Sequence, residues 1–208
     1  MKNQQIEDII KFLKKNIEPL NDTIYGPGYR AAVYLKDGTY IPCVIFRNPN
    51  LLVNLAIRRF KEEQNKKSFF SKFSSSSSAG YYNIVKNFVT NGNCINYYDI
   101  DSVEESKYAF PLNIQKQIQG ETTMGWTGFA VKMKDAKYFA FGSSFRWEFF
   151  QIPQNYSVND IEEIINHSYV IDGQLMSHRN GGMTFPDDYK QAIIYREKPY
   201  FECYIDNL

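Results

Sequence analysis

The chain has 208 residues, with 43% apolar and 23% charged side chains and a formal net charge of +1. That length can bury a sizeable core and that balance excludes wholesale disorder. A near-neutral total also argues against a dedicated nucleic-acid domain, which is strongly basic as a rule. The 16 Tyr, 16 Phe and two Trp make aromatics 16% of the chain and point to substantial sheet.

The first element is an amphipathic helix over 3–18. Ile6, Ile9, Ile10, Leu13 and Ile17 form one stripe of a 3.6 period, and Pro19 ends it. Charges interrupt this start every few positions, so it lacks the apolar core of a signal peptide. No stretch approaches the roughly 20 apolar residues of a membrane-spanning helix. Cys43, Cys94 and Cys203 show neither disulfide nor zinc spacing, and a cytoplasmic location without membrane contact is expected.

Two strands follow, about 29–35 and 39–47, joined through Lys36-Asp37-Gly38, where Asp-Gly suits a tight hairpin. Asn48-Pro49 then opens a helix to about residue 66, with Leu51, Leu52, Leu55 and Phe60 against Arg58 and Arg59. The Ser-rich segment 68–80 reads as a flexible loop, and a two-lobe split near 74–80 is the alternative to a single domain over 1–208. Between 81 and 124 a short strand (CINYY) and a short helix (PLNIQKQIQ) are expected, and Ser102 with Glu105 has capping-box spacing. Strands return at about 127–133, 137–142 and 145–151. Ser157 to Asp160 opens a helix carrying Ile161, Ile164 and Ile165, a strand lies near 168–171, and a polar loop leads to a closing hairpin of QAIIYRE and YFECYID. The sum is an α+β fold, mainly antiparallel sheet built from hairpins with three to five flanking helices.

AVYLKDGTY at 32–40 is echoed by AVKMKDAKY at 130–138, with five of nine positions identical. A duplicated hairpin-helix unit leaves such a trace. So do two unrelated hairpins, which share composition for the same physical reason, and Ala136 replaces Gly38 in the second turn.

The richest constellation for chemistry is the loop 176–189. If the protein is an enzyme, His178 is its acid or base, Arg179 its anion holder, and Asp187 or Asp188 orients the imidazole. The plainer reading is a polar surface loop. Asp99, Asp101, Glu104 and Glu105 suggest a hard-cation site, but the spacing is not that of a calcium loop, and acids beside a helix start explain them more simply. No phosphate-cradling or nucleophile motif is present, so no cofactor, metal or catalytic residue is assigned.

Residues 1–73 carry 13 Lys/Arg against 7 Asp/Glu, a net of +6, and the remainder 11 against 16, a net of −5. The leading expectation is a non-catalytic protein-binding module of the immunity or antagonist kind. Its anchors would be Trp126, Trp147, Tyr81 and Tyr82, with Arg58 and Arg59. The first rival is a small β-barrel-like nucleic-acid binder using the basic first third, in which Tyr29, Arg30, Arg47, Arg58 and Arg59 meet bases and phosphates. The second is an enzyme with its site on the 176–189 loop.

Overall fold

The computed structural model describes residues 2–22, 26–69, 85, 93–144, 147–178, 185 and 187–208. It is a sheet-rich mixture of strands and helices, and its contacts group the chain into two compact units. One comprises residues 1–103 with 201–208, the other 104–200. The Ser-rich stretch falls largely outside the described residues, except that helix α2 continues through 68 and 69. No helix among the described residues is long and apolar enough to cross a membrane.

In the first unit, α1 (Lys2–Asn16) lays Ile9 and Leu13 on one face of a sheet. That sheet runs β1 (Pro19–Asp22), β2 (Gly26–Leu35), β3 (Tyr40–Arg47), β12 (Phe201–Tyr204) and β4 (Cys94–Ile95), and β5 (Ile100–Glu105) also pairs with β2. Tyr29, Ala31 and Val33 of β2 meet Val44 and Phe46 of β3, Ile100 and Cys203 in the core. Alternation explains the choice, because every second residue of a strand shares a face. The opposite face is polar in part: Arg30, Arg47 and Glu202 are all buried, and Arg47 Nε lies 3.6 Å from Glu202 Oε1. Helix α2 (Pro49–Phe69) follows β3 and buries Leu52, Leu55 and Ala56.

These positions correct several expectations. The strands are open rather than closed into a small barrel, and Tyr29, Arg30 and Arg47 are buried, so they cannot meet bases or phosphates. Ser102 and Glu105 lie in β5 and cap no helix. The closing hairpin is not formed either. β11 (Ile194–Arg196) and β12 enter different sheets, each parallel to its neighbour, because Lys198-Pro199-Tyr200 carries the chain onward instead of turning it back.

In the second unit the sheet order is β11, β7 (Tyr138–Ser143), β6 (Thr127–Met133) and β8 (Ile161–Asn166). Phe129 stacks on its cross-strand partner Phe141 at 5.7 Å and 16°, and Phe110, Phe150, Met133, Ile161 and Ile164 complete a core on that face. The single-turn α3 (Leu112–Gln115) adds Ile114. The other face is covered by the hairpin of β9 (Ser168–Ile171) and β10 (Gln174–Ser177).

The helix expected from Ser157 is a 3-10 turn, Val158–Asp160, followed by strand β8. Ser157 and Asp160 still make a capping box, with the Ser157 amide donating to Asp160 Oδ2 at 2.7 Å. A register irregularity against Lys132 and Met133 then puts Ile161 and Ile164 on one face, so a spacing of three arises without a helix.

Both units contain the same local device. The Leu35 amide donates to the Thr39 carbonyl and the Met133 amide to the Lys137 carbonyl, each at 2.8 Å. The Lys36 amide donates to the Asp99 carbonyl and the Lys134 amide to the Asp160 carbonyl, each at 2.9 Å. Asp99 and Asp160 each end a 3-10 turn and precede a buried isoleucine, Ile100 or Ile161. Gly38 has φ +86° and Ala136 φ +66° at matching turn positions.

Candidate functional site

The site is built on the second sheet's face opposite its phenylalanine core. Gly128 pairs with Gly142, and Ala130 with Ala140. Four small residues in two cross-strand pairs leave a trough wide enough for rings to lie flat on the backbone. Trp126 occupies it: a Cβ on Gly142 would fall 2.0 Å from Trp126 Cζ2. The turn before β6 aims that indole, with Gly125 at φ +71° and the Trp126 amide donating to the Thr123 carbonyl at 2.9 Å.

His178 follows β10 and is 5% exposed. Its amide donates to the His167 carbonyl at 2.7 Å, and the His167 amide to the Gly128 carbonyl at 3.1 Å, so the backbone seats it over β6. The imidazole packs against Tyr169 at 4.8 Å and Tyr189 at 5.1 Å, and those two rings are themselves 5.3 Å apart, centroid to centroid, so the three form a triangle. Phe185 stacks on Tyr189 at 4.6 Å and stands edge-on to Trp126 at 6.2 Å. On the other side the Arg196 guanidinium sits 4.5 Å above the Trp126 ring and pairs with Glu197 at 2.9 Å.

Three polar atoms in this cluster are buried and make no well-formed hydrogen bond among the described residues, Trp126 Nε1, His178 Nε2 and the Tyr189 hydroxyl, although the indole N–H is close enough to the phenol to favour its ionised form. Two of them converge, because a Cβ on Gly128 would lie 3.0 Å from Trp126 Nε1 and 3.2 Å from His178 Nε2. Burial, and secondarily the neighbouring His167, hold His178 below its ordinary value, against the pull of Asp188. The imidazole is therefore neutral at pH 7. Burial pushes the Tyr189 phenol up to about 12, although the Trp126 indole and the Arg196 charge draw it down. The arrangement holds two neutral donors, an indole N–H and a phenol O–H, beside a neutral imidazole inside a ring of aromatics.

Of the residues the sequence singled out, the fold brings Trp126, His178 and Asp188 into one neighbourhood. Asp188 accepts the Tyr169 hydroxyl at 2.8 Å, so it steadies a ring of the box instead of the imidazole. Asp187 is exposed at the start of the 3-10 turn Asp187–Gln191, and Arg179 lies outside the described residues. Tyr81 and Tyr82 also lie outside them. Trp147 is 37% exposed, and its carbonyl accepts from Gln115 Nε2. Arg58 and Arg59 are exposed on α2, and Arg59 pairs with Glu62 at 2.9 Å. Asp99, Asp101, Glu104 and Glu105 run along a 3-10 turn and β5 rather than beside a helix start, and no group of three or more metal-ligating side chains forms among the described residues.

Sequence reasoning missed Tyr169, Tyr189 and the glycine floor. The signal for the floor is present: Gly128 and Ala130, then Ala140 and Gly142, alternate with large apolar residues along two adjacent strands. No protein-family model, curated protein or solved structure matches the chain.

Proposed function

We propose that this protein works by binding another protein, as an immunity or antagonist protein does, through the outer face of α2. One observation carries this reading. Leu52, Leu55 and Ala56 bury the helix's inner face, yet Val53 and Ile57, at i and i+4, remain 46% and 47% exposed. A helix needs one apolar stripe to hold it in place, and branched apolar side chains exposed outside that stripe mark a surface that meets a partner. Arg58 and Lys61 flank these side chains, so the partner is an acidic protein surface with an apolar groove.

Support for binding over catalysis also comes from the second unit. Its one buried imidazole is walled by rings, and its nearest acid is engaged by Tyr169. The test is capture from host lysate on tagged wild type, Ile57→Glu and Trp147→Ala proteins, with circular dichroism verifying the fold of each. One stoichiometric protein retained by wild type and Trp147→Ala but lost from Ile57→Glu is the expected result. Nucleic acid released as salt rises would replace this reading with the basic-surface one. A partner retained equally by all three would overturn the assignment to α2.

We further propose that the two hairpins, with their 3-10 turns and following strands, are copies of one ancestral element. In support, Lys36-Asp37 and Lys134-Asp135 occupy matching turns, Asp99-Ile100 and Asp160-Ile161 receive them through the same amide-carbonyl bond, and the second hairpin strand takes a parallel neighbour in both sheets.

A further inference from the structure

We propose that the outer edge of β5 is a second docking site, which accepts an extended basic segment of another polypeptide by strand addition. The part of that edge it uses, residues 100–103, and the cavity beside it lie in the first unit, and it does not depend on the α2 reading. Three observations converge there. β5 pairs with β2 alone among the described residues, so its outer edge carries backbone donors and acceptors that face no strand. One of these, the Ile100 carbonyl, already accepts from an amide that is not backbone: Gln5 Nε2 of α1, at 2.6 Å. A side-chain amide thus stands where a strand's N–H would. Beside this edge runs a cavity of about 430 Å³, between Gln5, Asp8, Ile9 and Phe12 of α1 and Asp101, Ser102 and Val103 of β5.

The chemistry of the walls selects the occupant. Ile9, Phe12 and Val103 make an apolar floor, while Asp8 and Asp101 stand exposed at the rim, one from each wall. Neither carboxylate has an ion-pair partner among the described residues, and no Lys or Arg lines the cavity. An apolar floor with two carboxylates fits a metal ion poorly, since a hard cation needs six or more oxygens. It fits a chain that alternates short apolar side chains with Lys or Arg. The apolar ones drop into the cavity, the cations reach the rim, and the backbone pairs with β5. This gives the acidic stretch after Tyr98 a role that no metal centre supplies.

The probe is a fluorescein-labelled heptapeptide alternating Lys with Val and Thr, followed by anisotropy. Two controls accompany it, one with Glu in place of Lys and one N-methylated at alternate residues so that it cannot pair along the edge. The wild-type chain should bind the Lys peptide and neither control. Asp8→Asn combined with Asp101→Asn should weaken binding roughly tenfold at low salt, as expected for losing two exposed charge pairs. Ile57→Glu should bind it unchanged, which separates this site from the α2 surface. Equal affinity for the N-methylated peptide would overturn strand addition. Full competition by butylamine would reduce the site to a receptor for a lone ammonium group. Unchanged binding by the double variant, or no binding by wild type, would refute it outright.

Discussion

Gly142→Ala tests the trough directly. The new Cβ would lie 2.0, 2.6 and 2.8 Å from Trp126 Cζ2, Cη2 and Cε2, so the indole must move off the sheet by well over an ångström. Sliding along β6 is opposed by His178, whose Nε2 stands 3.2 Å from where a Cβ on Gly128 would lie. Forced overpacking of this kind costs about 1–3 kcal/mol, and leaving the Arg196 guanidinium forfeits about 0.5–1 more. Alanine's lower unfolded-state entropy returns about 0.5–1 kcal/mol, leaving a net loss of roughly 2 kcal/mol. Urea denaturation followed by circular dichroism and indole fluorescence measures it. The decisive comparison is the cycle with Trp126→Ala: once the indole is gone only the entropy gain remains, so Gly142→Ala should stabilise by about 0.5–1 kcal/mol, a coupling of roughly 3 kcal/mol. Equal costs in both backgrounds, or a single-variant loss below about 0.5 kcal/mol, would refute the account of the trough.

Two further outcomes follow from the same geometry. His178 is held below its ordinary value of 6.5, so the unfolded chain binds its proton more readily than the folded one. Stability contributed by this group is therefore complete above pH 6.5 and is lost as pH falls toward the depressed folded value, by at most about 1.4 kcal/mol per pH unit. Denaturation midpoints between pH 7.5 and 5.5 should show that slope and His178→Leu should flatten it, whereas a slope surviving the substitution would assign it elsewhere. In the paired turns, Ala136→Gly should stabilise and Gly38→Ala destabilise, each by about 1 kcal/mol, because both positions have positive φ and Gly38 has no neighbour within 4 Å of a new Cβ. Shifts of the same sign would separate the two turns.

Local pattern and local chemistry carried the legible part of the fold. The stripe Ile6, Ile9, Ile10, Leu13 and Ile17 packs into the first core as its period requires. Asp37-Gly38 makes the turn its φ demands. Where distant residues decide, the sequence misleads. Ile161, Ile164 and Ile165 have helical spacing, and only the irregular register against β6 turns them into a strand. QAIIYRE and YFECYID look like partners because they are neighbours, yet each finds its parallel neighbour more than 50 residues earlier. The candidate site divides the same way. His178 and Asp188 stand out by residue type, but the fold gives Asp188 to Tyr169 and gives His178 a floor whose meaning depends on knowing that Gly128 lies opposite Gly142.

The position of β12 bears on how the molecule is made. Its residues 201–204 lie between β3 and β4, so the middle of the first sheet is a gap until they are in place. Residues 104–200, by contrast, are contiguous and hold every strand of their own sheet. On a ribosome the later-encoded unit is therefore the first that can finish, while the earlier-encoded one waits with β3 and β4 unjoined. That interval exposes the edge of β3, whose Val44 and Phe46 are fully buried in the completed sheet. Recombinant yield should thus respond more to substitutions that slow the docking of Cys203 than to equally destabilising ones within 104–200.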